Sequence, residues 1–135
     1  MNHVNTQRLF QTFPELYRDH TAPITESLMA LGFECGNGWA ELLHDLSRKL
    51  TAHAQEAGLD IVAVQVKEKW GELVVYANGT DDESDRLIEA AREASASICE
   101  MCGAPGRLYR RGWHRTRCPV HAPEGQDTDC CQLDV

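Results

Sequence analysis

Leu9, Phe10, Phe13, Leu16 and Tyr17 fall at helical spacing through NTQRLFQTFPELYRDH, and Pro14 interrupts the run. The pattern predicts two short helices or a kinked one. PITESLMALGF carries a second apolar patch and reads as a short helix stopped at Gly32. ECGNGW then supplies a turn. WAELLHDLSRKLTAHAQEAG holds Trp39, Leu42, Leu43, Leu46 and Leu50 on one stripe and ends at Gly58, making it the clearest helix of the chain.

The period changes after Gly58. In LDIVAVQVKEK, Val62, Val64 and Val66 alternate against Ala63, Gln65 and Lys67, and ELVVYAN repeats the alternation beyond a WG bend. Two antiparallel strands joined by a short turn fit this pattern. Thr80 with Glu83 spells a capping box. Asp81, Asp82, Glu83 and Asp85 crowd the first turn of the helix that follows, where the helix dipole favours acids. That helix, expected over 80–98, presents Leu87, Ile88, Ala91, Ala94 and Ile98 as a narrow face for close packing on the sheet.

With 135 residues, the chain suits one domain that would gain from a staple. No run of 18 apolar residues predicts a transmembrane helix. The opening MNHVNTQRLF lacks the basic-then-apolar layout of a secretory signal. A reducing compartment is therefore expected, where paired cysteines favour metal over disulfides. The formal charge of −8 opposes broad attraction to nucleic acid, but the charge is uneven. Arg107, Arg110, Arg111, Arg115 and Arg117 sit together with no carboxylate between them. Residues 124–135 hold Glu124, Asp127, Asp129 and Asp134 with no base. The two segments either pair, one masking the other, or form ordinary solvated surface.

The candidate chemistry lies between residues 98 and 122, ICEMCGAPGRLYRRGWHRTRCPVHA. Cys99 and Cys102 precede Cys118 and His121 by a gap of fifteen residues, a strong spelling for four-ligand zinc. Gly103 permits the knuckle turn, the gap suits a hairpin with Gly112 near its tip, and Pro119 opens a helical turn that carries His121 round to the metal. Four protein ligands leave no open position, so the Zn2+ is expected to be structural and the protein not an enzyme. The zinc deaminase spelling and H-E-x-x-H are both absent. His53, Glu56 and His44 read as surface or core-edge positions on the long helix. Cys35 reads as a buried thiol, and Cys130 and Cys131 have no assigned role.

The expected architecture is α+β, with N-terminal helices, a central antiparallel β-hairpin with a packed helix, and a C-terminal zinc-ribbon or treble-clef-like finger. Residues 1–98 form the body, 99–122 the finger integrated with it, and 123–135 an acidic flexible tail.

GFECGNGWAELLHDL, VQVKEKWGELVVY and ASASICEMCGAPGRLYRRGWHRTRCPVHA, in that order, resemble a family of small uncharacterised bacteriophage and prophage proteins with a KEKxG hairpin and a C-terminal CxxCG…CxxH zinc finger. The likeness covers most of residues 30–122, and Val74 stands where the family often has arginine. The resemblance implies a phage or mobile-element setting, life in the cytoplasm of a bacterial host and a zinc finger; it implies no activity.

Two functions are expected in preference to catalysis. The first is a zinc-stiffened accessory module that binds and modulates a host protein, host defence included, through Arg107, Tyr109, Arg110, Arg111, Trp113, Arg115 and Arg117. The alternative is a nucleic-acid-binding zinc-finger regulator that uses the same arginines and aromatics on phosphates and bases. Trp113 also admits a packing role, folded back as a lid over the metal.

Overall fold

The structure, a computed structural model, describes residues 1–123. The expected acidic tail, with Cys130 and Cys131, lies outside the described residues apart from Pro123. The fold is α+β, as the sequence pattern implies. Helix α1 (His3–Thr12) ends two residues before Pro14, and the chain continues through a 3-10 turn at Arg18–Thr21. Leu9, Phe10, Phe13, Leu16 and Tyr17 are all buried. A second 3-10 turn, Leu28–Leu31, is capped by the Ser27 hydroxyl and closed at Gly32. Helix α2 (Ala40–Ala57) buries Leu43, Leu46 and Leu50, and Gly58 ends it in the left-handed conformation. Tyr17 and Ser47 share a buried 2.6 Å hydrogen bond between α2 and the N-terminal segment.

A three-stranded sheet carries the order β1 (Phe33–Glu34), β2 (Val62–Lys69), β3 (Glu72–Asn78), with β1 parallel and β3 antiparallel to β2. Two features differ from the sequence expectation. Phe33–Glu34 falls where only a turn was expected, because two residues are too few to show alternation. The register of β2 also shifts between Ala63 and Gln65, leaving Val64 as an extra residue. The bulge changes which side chains face the core. Ile61, Ala63 and Val66 are buried, whereas Val62 and Val64 are half-buried.

Helix α3 (Asp82–Ser95) packs against β3 and α2. Its capping box lies one residue beyond the Thr80 and Glu83 spelling: Asp81 accepts from the Ser84 N–H, and the Ser84 hydroxyl accepts from the Asp81 N–H. His53 selects this cap, because its Nε2 lies 2.9 and 3.0 Å from the two Asp81 oxygens. The buried face of α3 also differs. Ser84, Ala91 and Ser95 are buried, Leu87 and Ile88 are half-buried, and Ala94 is exposed. Ser95 earns its burial by accepting the Leu73 N–H of β3 at 2.9 Å. The helix stops at Ser95, short of the expected residue 98, because the Ile98 backbone pairs with Pro105. No helix among the described residues is long and apolar enough to cross a membrane.

The Ser84 backbone N–H, then His53, hold the Asp81 carboxyl well below its ordinary 3.8. A depressed carboxyl contributes stability above its unfolded value and loses it as the pH falls through the folded one. Asp81→Asn should therefore cost melting temperature at neutral pH. The gap from the native chain should narrow as the pH is lowered below about 4. Thermal melts of both proteins from pH 7 to pH 2 check this, and a gap independent of pH would contradict it.

Candidate metal centre

The finger begins directly after Ile98. The Cys99 carbonyl accepts the Gly103 N–H at 2.8 Å and the Cys99 N–H reaches the Ala104 carbonyl at 2.8 Å, closing a tight knuckle. Gly103 takes φ of 83°, a conformation that side chains rarely adopt. Strands β4 (Arg107–Tyr109) and β5 (Arg115–Arg117) pair antiparallel, with Gly112 between them. Pro119 then opens the 3-10 turn Pro119–His121, which returns the imidazole to the thiols. Within the described residues that single turn is all the helix that follows Cys118.

Cys99, Cys102, Cys118 and His121 converge, with their donor atoms all within 4.8 Å of one another. His121 Nδ1 stands 3.7 Å from Cys99 Sγ and 3.3 Å from Cys118 Sγ, and Cys102 Sγ stands 3.6 Å from Cys118 Sγ. These sulfurs are too far apart for disulfides, which need about 2.05 Å. Three sulfurs and an imidazole around one central point can hold a metal ion. Cys99 and Cys118 are buried, His121 half-buried and Cys102 exposed. Burial pushes the Cys118 thiol up, but the His121 backbone N–H, its imidazole and the neighbouring thiols outweigh it and bring Cys118 down to about 6. That favours the thiolate a metal requires.

The residues that fix the knuckle to the body are distant in sequence. The Trp39 indole N–H donates to the Ile98 carbonyl at 2.9 Å, and the Gly38 N–H donates to the Glu100 carbonyl at 2.7 Å. The Glu100 carboxylate accepts the Gly36 N–H at 2.9 Å and pairs with Arg117 at 3.1 Å. Both partners of that ion pair are largely enclosed, so removing either would strand the other. A Cβ at Gly38 would collide with the Cys99 carbonyl oxygen. On the opposite side, the Thr116 hydroxyl donates to the Gly71 carbonyl in the β2–β3 turn at 2.7 Å. The 35–39 loop and the β2–β3 turn therefore hold the finger from two directions. In the sequence pattern both read as bends, and nothing in it marks Glu100.

The arginine hairpin divides once its side chains are placed. Tyr109 is 2 % exposed and is corrected from surface to core, with Arg107 lying over its ring at 5.0 Å. Arg117 turns inward to Glu100 and Arg115 is half-buried. Arg110 and Arg111 are exposed, and Trp113 is 71 % exposed, which excludes a lid over the metal. Beside the hairpin tip stands a residue that the sequence pattern marks only as part of a bend. Trp70, in the β2–β3 turn, is 69 % exposed and holds φ of 56°. A bulky residue in that region costs roughly 1–3 kcal/mol, and such outliers gather at functional sites. His114 meets the Trp70 ring edge-on at 5.7 Å. The one available signal was the tryptophan itself, standing at a turn in KWG where a polar residue is the usual choice.

Comparison of the chain with family models, with curated proteins and with solved structures returns no match in any of the three. The character of the site therefore rests on its own residues. Trp39→Phe keeps the ring but leaves the Ile98 carbonyl without its donor, at a cost of about 1–3 kcal/mol in urea unfolding. Gly38→Ala should push the knuckle away from the body and reduce metal retention under chelator challenge. Native-like metal retention by Gly38→Ala would show that the loop is a bystander.

Proposed function

We propose that this protein is a zinc-stapled accessory module of bacteriophage or prophage origin, acting in the bacterial cytoplasm by binding and modulating a host protein. The phage setting follows from the family resemblance. Zinc follows from the donor set. Zn–S bonds of about 2.3 Å and Zn–N bonds of about 2.0 Å imply tetrahedral edges of about 3.8 Å between sulfurs and about 3.5 Å between sulfur and nitrogen. The 3.6, 3.7 and 3.3 Å separations match those edges. Three thiolates and one imidazole suit zinc in preference to the hard cations. With every tetrahedral position taken by protein, zinc here orders the chain and leaves no place for a substrate, so the protein is read as a binder and not an enzyme.

The observation that carries the binding role is the pair of exposed tryptophans beside exposed arginines on a hairpin braced at both ends. Large aromatic surface left in water has no value to the fold, and tryptophan and arginine are the residues that anchor interfaces. Bracing also reduces the entropy lost on binding. The same exposed rings beside cations favour a second reading, stacking on single-stranded nucleic acid. The −8 net charge weighs against it.

Purified protein should contain one zinc per chain by elemental analysis, and Cys102→Ser should lose most of it. Because thiolates and neutral imidazole are the ligands, zinc should be held at pH 7 and released on acidification. Full retention by Cys102→Ser would sink the assignment. For the partner, Arg110→Ala combined with Trp113→Ala should leave zinc content and melting temperature unchanged. The same variant should lower capture of one host protein from nuclease-treated lysate by about tenfold or more. Tight binding to bare oligonucleotide at physiological salt, lost in that variant and falling steeply with added salt, would install the second reading instead.

A further inference from the structure

Val66, Leu73 and Val75 turn to the core, so Gln65, Lys67, Lys69 and Tyr76 stand on the opposite face of the β2–β3 hairpin. Two hollows lie along that face, and Lys67 lines both. The first, about 260 Å³, is lined by the exposed rings of Trp70 and Trp113 together with Lys69. The second, about 350 Å³ and more open, is lined by Val64 and Gln65 with the exposed Leu28 and Tyr76. From Gln65 in the second to Trp70 in the first, the strand advances about 17 Å.

Charge along this face is uneven, because the carboxylates that flank the two lysines are committed elsewhere. Glu34, opposite Lys67 on β1, accepts from Gln65 Nε2 at 3.1 Å. Glu68 accepts the Gly71 N–H at 2.7 Å, and Glu72, opposite Lys69 on β3, pairs with Arg92 at 3.1 Å. Among the described residues no carboxylate lies within ion-pair distance of Lys67 or Lys69. At the far end the sign reverses: Glu26 lines the second hollow, and among the described residues it has no ion-pair partner. We propose that this face binds an extended acidic segment of the partner protein. One apolar side chain of that segment enters each hollow, the two standing about five residues apart, and its carboxylates gather over Lys67 and Lys69. This rests on the host-protein reading and deepens it by naming what the partner presents. Single-stranded nucleic acid fits the face less well. It carries a phosphate at every nucleotide and would meet Glu26 and Glu34 beyond the lysines, whereas a peptide can hold its charge at one end.

The full zinc-loaded chain is panned against a random library of displayed peptides about twelve residues long, enough to span both hollows. The bound peptides should be rich in Asp and Glu, with two apolar residues about five apart and the acids gathered round one of them. One such peptide, made synthetically, is then titrated while the indole N–H resonances are read by NMR. Trp70 and Trp113 should move, and the buried Trp39 should not. Lys67→Gln combined with Lys69→Gln should weaken the peptide by about tenfold, and that difference should shrink at about 0.5 M salt, where the Debye length is a few ångströms. Leu28→Ala should weaken it severalfold through the second hollow. A native Trp39 resonance in each variant separates a lost contact from a lost fold. Failure to recover acidic peptides, or undiminished binding by the lysine variant, would overturn the proposal. So would a dodecathymidylate that displaces the peptide and binds more tightly, which would give the face to nucleic acid. So would Trp70 and Trp113 signals that change with protein concentration alone, which would give it to a second copy. Host-protein capture then separates the two readings. If the peptides behave as proposed but the native protein captures no host protein, the host-protein reading falls and the acidic-peptide site stands. If capture depends on Arg110 and Trp113 yet survives in the lysine variant, that reading stands and this proposal falls.

Discussion

The structure depends on the contact between the 35–39 loop and the backbone at 98–100. Three donors from the loop, the Trp39 indole and the Gly36 and Gly38 amides, satisfy the Ile98 carbonyl, the Glu100 carboxylate and the Glu100 carbonyl. This geometry needs the two chains almost in contact, and only glycine at position 38 lets them approach so far. Trp39 is at once the most enclosed aromatic of the core and the donor that fixes the start of the knuckle. A metal ligand set placed by that contact inherits the rigidity of the core.

Rigidity in turn explains the distribution of charge and apolar surface. Apart from its finger the molecule is strongly acidic, and the exposed Trp70 and Trp113 stand with Lys69, Arg110 and Arg111 where β2–β3 and β4–β5 turn side by side. The Thr116 hydroxyl bond to Gly71 holds those turns in fixed relation, so Trp70 and Trp113 form one surface although they belong to separate hairpins. Steering by such a dipolar charge arrangement favours a partner with a localised acidic patch over an extended polyanion.

How much was legible in the sequence follows from which interactions are local. Helix α2 declares itself because Leu43, Leu46 and Leu50 repeat at its own period, and the four ligands declare themselves because a knuckle needs fixed spacing. The capping of α3 was missed by one residue because Asp81 and Thr80 are comparable caps until His53, from another helix, decides between them. The inward face of β2 was half wrong because a bulge at Val64 is a property of pairing with β3, not of the strand's composition. Tyr109 was assigned to the surface with its arginine neighbours, but an amphipathic ring is buried or shown according to what lies under it. Least legible was the contact at 98–100: its backbone partners carry no side-chain signature apart from two glycines that also suit a plain turn.

The spacing of that contact along the chain has a kinetic meaning. Cys99 and His121 are 22 residues apart, whereas Trp39 and Gly36 reach partners 59 and 64 residues away. Closing the longer loop costs about 1 kcal/mol more in chain entropy. With a metal ion bound, the finger is therefore the cheaper unit to assemble, and it supplies a finished template on which the glycine loop can close. A chain that closed its finger late would hold a formed core with an unlatched end.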